Sequence, residues 1–369
     1  MLNSVTGLTP PGILCERILN KVASGERLSE DDVVSLLTVT SEEEISFIQN
    51  LADNVRYNRV GDVVFFSSTY YLYPTNFCEF NCSFCAFYAK PGDARGWWHS
   101  PEELLELISK VSQPISEVHI VSGCHPECNL SYFEKLFSLL REHYPKLHRK
   151  GLTAVEYDYL AKLHNIDVKI VLERLRDAGV QSLPGGGGEI LVDSLRQTIS
   201  PGRISSDRFL EIHQTAHELG LRTNATLLFD HIETPQNIAE HLKKLRDLQD
   251  KTHGFKTLVP LKFANKNNAL GKISRYKNRS SLRLSLLFAS IRLFLDNFDN
   301  IKSLWNYLGI ADALKMLTCG ANDFSSTHIG EQVFQMASSK DPIRMDIPGM
   351  QKLISEIGRE PCLVNSETV

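Results

Sequence analysis

The sequence predicts an α/β chain: a (β/α)8 TIM-type barrel over residues 62–330, with a helical extension over 1–61 and a helical tail over 331–369. Three observations predict it. Strand-like and helix-like runs alternate from about residue 62, the pattern of a parallel sheet. About eight such units fit in some 260 residues, which suits a closed barrel better than an open sheet. Polar or glycine-rich clusters fall at the ends of the strand-like runs, where a barrel carries its chemistry.

Each element has a local reason. The N-terminal part repeats apolar residues at helical spacing through Ile13, Leu19 and Val22, and again through Val33, Val34, Leu36 and Leu37. The run 62–73 is β-branched and aromatic and reads as one extended segment. Ser100, Pro101 and Glu103 form a capping box with proline at the first helical position, so a helix starts there. Residues 116–123 read as a strand, 130–144 as a helix, and 148–156 as a strand-like run. A helix over 168–178 is closed by Gly179. Ser205 or Ser206 caps a helix whose face carries Phe209, Ile212, Ala216 and Leu219. A strand at 221–229, a Thr234-Pro235 helix and a strand at 255–263 follow, then the polar stretch 262–281 as a surface loop. A helix over 279–297, a short run near 301–307, a helix near 312–317 and a last strand end near 319–323 complete the barrel.

Composition narrows the function classes. Forty Lys+Arg against 44 Asp+Glu leave a net charge of −4, so no basic field invites nucleic acid or an anionic membrane surface. No run of about 18 apolar residues predicts a transmembrane helix, and the N-terminus lacks the basic start and apolar core of a secretory signal. A cytoplasmic protein with no membrane or nucleic-acid partner is expected. A chain of 369 residues needs no disulfide staples, so its eight cysteines are not a disulfide framework.

Three of those cysteines, Cys78, Cys82 and Cys85, fall within eight residues just after the first strand. Three thiolates suit iron–sulfur or zinc chemistry, and no fourth ligand stands at the spacing of a closed zinc site. On a four-iron cluster, three thiolates would leave one iron open to a small molecule. The spacing, with Phe84 directly before the last cysteine, resembles the radical S-adenosylmethionine (radical SAM) superfamily. The resemblance implies a barrel with a 4Fe–4S cluster in the loop after the first strand, metal ligands Cys78, Cys82 and Cys85, and S-adenosylmethionine as co-substrate on the open iron. The alternative of another class is a zinc-stabilised binding protein.

Phrases along most of the chain resemble the futalosine-pathway enzymes of menaquinone biosynthesis: YPTNFCEFNCSFC at 73–85, GLTAVE at 151–156, LPGGGGEIL at 183–191 and GANDFSST at 320–327. Thr153 to Glu156, Asn224-Ala225-Thr226 and Pro260-Leu261 resemble the aminofutalosine synthase type, whereas Leu191-Val192-Asp193 and Asp323 to Thr327 resemble the dehypoxanthine futalosine cyclase type. The synthase type implies joining the adenosyl group of S-adenosylmethionine to an enolpyruvyl benzoate, with flavodoxin or ferredoxin as electron donor. The chain departs from the usual pattern at Ser122-Gly123-Cys124, at Gly188, and at Asp230-His231, where glycine usually precedes the histidine.

By the same resemblance, Ser122 and Gly123 approach the amino group of S-adenosylmethionine, though a tight turn is the plain alternative. Gly186, Gly187 and Glu189 would bring backbone N–H groups and a carboxylate to the ligand, unless the run is a loop. Asn224, Thr226 and Phe84 complete the expected cofactor-binding set. Glu156, His125 and His231 are the candidates for proton transfer, against the ordinary reading of a satisfied structural histidine. Arg222 and Lys262 are candidate partners for substrate carboxylates. Cys124 and Cys128 read as small buried thiols in preference to a second metal site, and His213 and His217 as a packed helix face. Trp97 and Trp98 either cover the cysteine loop or pack in the core.

Overall fold

The computed structural model describes residues 8–273, 279–338 and 344–366. Residues 274–278, within the stretch read as a surface loop, and 339–343 and 367–369 of the tail lie outside the described residues.

Ten strands are seen among the described residues. They are β1 (Val63–Ser67), β2 (Thr69–Leu72), β3 (Glu117–Ile120), β4 (His148–Gly151), β5 (Ser182–Leu183), β6 (Arg222–Phe229), β7 (Phe255–Lys262), β8 (Asn300–Ile301), β9 (Asp323–Ser326) and β10 (Glu360–Val364). Strands β2 to β8 form a seven-stranded parallel sheet in sequence order. The segment around β9 joins both ends of it: Lys302 bridges Asp323 at the β8 edge, and Tyr70 bridges Ile329 at the β2 edge. The backbone bonds Ser303 N to Asp323 O at 2.7 Å and Tyr71 N to Ile329 O at 2.9 Å hold those seams. The sheet therefore curls into an eight-strand ring, as the alternation predicts.

Two readings need correction. The run 62–73 is not one strand. It breaks at Ser68, and β1 leaves the ring to pair in parallel with β9 and β10. The tail is not wholly helical: after the helix Ile347–Glu356 it supplies β10, registered against β1 from Val63↔Glu360 to Ser67↔Val364. Alternate residues Pro361 and Leu363 give no strong apolar pattern, so the strand is decided by the free edge of β1.

The N-terminal extension is helical as expected: Ile13–Ser24, Glu30–Thr38 and Glu42–Val60. It packs on the barrel helices Pro235–Thr252 and Ser281–Phe294. Ile45, Ile48, Leu51 and Ala52 are fully or almost fully buried along one face of its third helix. Each such Ile or Leu contributes roughly 1.5–3 kcal/mol. No described helix is long and apolar enough to cross a membrane.

Candidate active site

The strand ends at one mouth of the ring open on a cavity of about 350 Å³ lined by Cys78, Cys82 and Cys85. The loop that carries them is held at both ends. Asn76 donates to the Phe87 carbonyl at 3.3 Å and to the Arg95 carbonyl at 2.9 Å, and accepts from Trp97 N at 2.9 Å. The Lys90 ammonium donates to the carbonyls of Cys78, Glu79 and Phe80 at 2.8, 2.7 and 3.1 Å, absorbing backbone acceptors that a non-regular loop would leave open. Gly123 lets the β3 end lie against this loop. A Cβ there would stand 2.0 Å from the Phe77 carbonyl oxygen, so no larger residue fits.

The thiols differ in surroundings. Cys78 accepts from Cys124 N at 3.4 Å, and the Cys124 side chain with this N–H lowers its pKa to about 6. Burial pushes the Cys85 thiol up to about 12 and raises that of Cys82, although Arg203 Nη1 lies 3.5 Å from the Cys82 sulfur. Among the described residues no three His, Cys, Asp or Glu side chains converge on a single ion. Three thiols lining one cavity suit a multi-iron centre, in which each thiolate takes its own iron.

The groups expected to bind a cofactor share the cavity with the thiols. Ser122, Gly186, Gly187, Glu189, Asn224, Thr226 and Phe84 all line the cavity. Gly187 has φ +96°, a left-handed backbone natural to glycine, and its N–H turns to Glu189 Oε1 at 3.3 Å. Arg203 Nη1 reaches the same oxygen at 3.1 Å, while Glu189 Oε2 is buried with no hydrogen-bond partner. An orphaned carboxylate oxygen on the wall of a cavity fits a ligand hydroxyl or ammonium, because leaving it unpaired costs about 1–3 kcal/mol. Thr226 Oγ1 donates to the Gly185 carbonyl at 2.7 Å, fixing the glycine run against β6.

Glu156 does reach the cavity, but not from a strand end. Residues 154–164 form a helix, Thr153 is its N-cap, and Glu156 closes the capping box. One carboxylate oxygen accepts from Ser122 N and the other from Thr153 N, each at 2.7 Å. Burial outweighs those bonds and raises its pKa to about 7. Both oxygens accept, so Glu156→Gln turns an amide NH2 toward an N–H donor. The expected cost is about 1–3 kcal/mol, with the Ser122 strand end displaced and KM for S-adenosylmethionine raised. The folded pKa lies above the unfolded one, so this carboxyl's contribution is complete below about pH 4.3 and is lost as pH rises through about 7. Urea midpoints against pH check this: the glutamine variant lacks that slope, and an unchanged slope rejects the assignment.

His125 and His231 are not brought into the cavity. His125 lies in an outer groove with Phe77, Trp98 and Glu127, and its Nδ1 accepts from Glu127 N at 3.3 Å. His231 is buried with Nε2 3.0 Å from the Leu228 carbonyl. The Asp230 before it has φ +68°, which explains why glycine suits that position, and it pairs with Arg279. Arg222 is exposed at the opposite end of β6, away from the site, while Lys262 lines the cavity. His213 and His217 share the Thr223 hydroxyl at 2.8 Å, as a packed face should. Trp97 packs edge-on against Phe87, and Trp98 is 41% exposed.

The structure adds a second polar wall that the motifs do not mark. Tyr71, His119 and His328 line the cavity as a group of rings, Tyr71 standing 4.9 Å from His119 and 5.6 Å from His328. Burial lowers both imidazoles, His328 to about 3, so both are neutral at pH 7. Glu331 joins them, buried, with its pKa raised to about 7 by burial. The signal for part of this wall lies in strand alternation: Thr69 and Tyr71, then Glu117 and His119, are spaced two apart and share the lumen face.

A curled parallel barrel with a three-cysteine loop at its carboxyl mouth defines a radical SAM enzyme, and the chain belongs to that superfamily. It matches the Radical SAM superfamily over residues 72–245 and the CofH/MqnC C-terminal region over 252–368. Membership implies an iron–sulfur cluster and S-adenosylmethionine, which the residues above fit, and it replaces the reading as a zinc-stabilised binding protein. The chain is 34% identical over 346 residues to aminodeoxyfutalosine synthase of Thermus thermophilus, covering 93% of this chain and 92% of that one. It is equally 34% identical over 352 residues to the 5-amino-6-(D-ribitylamino)uracil–L-tyrosine 4-hydroxyphenyl transferase of Methanoculleus marisnigri, covering 95% of each. In fold it is similar to methylornithine synthase, with a TM-score of 0.73 at 18% identity over 93% of this chain and 96% of that one.

Proposed function

We propose that this chain is an aminofutalosine synthase. It would break the C5′–sulfur bond of S-adenosylmethionine and join C5′ to the vinyl carbon of 3-(1-carboxyvinyloxy)benzoate, with one water consumed as the carboxyl group leaves, giving aminofutalosine, methionine and bicarbonate. The observation that carries the reading is one cavity with two unlike walls. The thiols, the glycine run and Glu189 suit a cluster and an adenosyl sulfonium. The rings of Tyr71, His119 and His328 suit a flat second substrate beside it. The synthase-like phrases around Thr153 to Glu156 and Asn224 to Thr226 lie on the first wall.

A 4Fe–4S cluster held by Cys78, Cys82 and Cys85 would supply the electron that cleaves the sulfonium. The protein's own part is to orient and to exclude. Phe84, Leu228, Val259 and Leu261 give the cavity apolar sides that keep water from a reactive carbon centre. Lys262 supplies a cationic group on the cavity lining for a carboxylate, and Arg203 holds Glu189 in place there. The electron donor would be a small flavodoxin or ferredoxin.

Two other readings follow from specific likenesses. Transfer of a 4-hydroxyphenyl group from tyrosine to ribitylaminouracil is suggested by the relative from Methanoculleus marisnigri. Cyclisation of dehypoxanthine futalosine is suggested by Leu191-Val192-Asp193 and Asp323 to Thr327. Anaerobic reconstitution with iron and sulfide, then turnover with S-adenosylmethionine, a strong reductant and each substrate set, separates all three by mass spectrometry. An adenosine-containing adduct from the enolpyruvyl benzoate is the expected result. Its absence, with product from either other set, replaces the proposal.

A further inference from the structure

Asn306 lines the cavity from the short helix Trp305–Leu308, just after β8. Both polar atoms of its amide, Oδ1 and Nδ2, are buried without a hydrogen-bond partner among the described residues. The unpaired NH2 is the more telling of the two. Buried carbonyls are left short of a donor more often than buried N–H groups are left without an acceptor. The neighbours on either side are fixed, so the orphaned amide is not the slack of a loose turn. Trp305 is buried and donates from Nε1 to the Ser326 carbonyl at 2.8 Å, and the Tyr307 ring stands 4.2 Å from that of Phe334. A second unpaired atom belongs to the same wall. The His328 ring, 5.3 Å from that of Trp305, meets Ser325 Oγ through Nε2 at 2.8 Å and leaves Nδ1 buried with no partner.

We propose that Asn306 is a specificity-determining residue for the second substrate, donating from Nδ2 to the carboxylate on its aromatic ring. A charged acceptor makes a stronger bond with a neutral N–H than a neutral acceptor does, so a carboxylate oxygen suits an amide that has gone unpaired. The ring that bears this carboxylate is the flat group assigned to the wall of Tyr71, His119 and His328, which line the same cavity as Asn306. Turning the amide to an incoming carboxylate breaks no bond within the protein, because it makes none. Lys302, four residues earlier and also at the cavity, is already engaged with Asp323 at 3.0 Å. Lys262, at the end of β7, is left for the enolpyruvyl carboxylate.

The inference rests on the reading of the second substrate as an enolpyruvyl benzoate, and the experiment separates the two. Wild-type protein, Asn306→Leu and Asn306→Asp are reconstituted anaerobically and titrated calorimetrically with S-adenosylmethionine present and no reductant. The ligands are 3-(1-carboxyvinyloxy)benzoate and 2-phenoxyacrylate, which lacks the ring carboxylate. Leucine is expected to weaken binding of the benzoate roughly ten- to a hundredfold and to leave binding of phenoxyacrylate unchanged. Aspartate, which sets an anion against an anion, is expected to weaken the benzoate further. Urea unfolding without ligand is expected to give the leucine variant a midpoint at or above wild type, because a buried amide with no partner has been removed. Leucine or aspartate binding the benzoate as tightly as wild type overturns the inference. So does a leucine variant that loses both ligands equally, because its effect would then not depend on the ring carboxylate. Wild-type protein that binds the two ligands equally well overturns it as well. Wild-type protein that binds neither removes instead the substrate reading on which the inference rests.

Discussion

Cys85→Ala protein, reconstituted with iron and sulfide, is expected to hold no stable cluster and to turn over S-adenosylmethionine only at background. The fold should survive. Cys85 sits in a loop that Asn76 and Lys90 anchor through bonds to other residues. Deleting one sulfur beside a cavity of about 350 Å³ leaves little new void, so the cost is about 1 kcal/mol. The cluster has no such reserve. A thiolate from each of three cysteines is needed, and no His, Cys, Asp or Glu in the described residues completes another triad. Cys319→Ala is the matched control: it is buried beside Thr318 and lines no part of the cavity. Iron content, EPR of the reduced protein and far-UV circular dichroism read the outcome. Wild-type iron content and EPR signal in Cys85→Ala would reject the assignment of the triad.

Much of the barrel is legible in the sequence because its helices announce themselves locally. Ser100, Pro101 and Glu103 form the capping box they spell, and Gly179 closes its helix as expected. Strand ends are less legible. The segment 148–156 looks uniformly strand-like, yet a helix starts within it at Thr153, whose backbone N–H the Glu156 carboxylate accepts. β10 is the opposite case. Nothing in residues 360–364 demands a strand, and only the open edge of β1, unknown from local pattern, makes it one.

The site divides in the same way. The thiols and the glycine run are legible because only those residue types do that chemistry or take that backbone. His125 and His231 mislead because a histidine near a predicted strand end looks alike whether it faces the lumen or turns to a carbonyl. Arg203 is missed because it lies in the sequence between two helices with no motif, and only the fold carries its guanidinium to Glu189 and Cys82. Tyr71, His119 and His328 come from three separate strand ends, so their meeting is a property of ring closure and not of any one segment.

Lys150→Met is expected to cost about 3–5 kcal/mol, because it breaks a buried ion pair by removing one partner. Lys150 and Glu117 are both almost wholly buried and face each other at 2.9 Å across β3 and β4. Thr69 Oγ1 donates to the same Glu117 oxygen at 2.8 Å, and Ser366 N donates to the other at 2.9 Å, so the carboxylate ties β2, β3 and the C-terminal tail together. Burial works against the Glu117 anion, but the Lys150 ammonium and the donors outweigh it and hold its pKa well below the usual carboxylate range. With a folded pKa below the unfolded one, its stabilisation is present above about pH 4.3 and is lost as pH falls through the folded value. Methionine fills the space and removes the charge, leaving a buried anion without a counter-ion. The Glu117 pKa then rises, and the slope reverses: the variant loses stability as pH rises from about 4.3 through the new value. Glu117→Gln combined with Lys150→Met removes both charges and should recover most of the loss. Urea denaturation of the two variants and wild type at acid and neutral pH measures it. A double variant as unstable as the single one, or a single variant whose stability does not improve on acidification, would show that the pair does not act as a coupled buried charge.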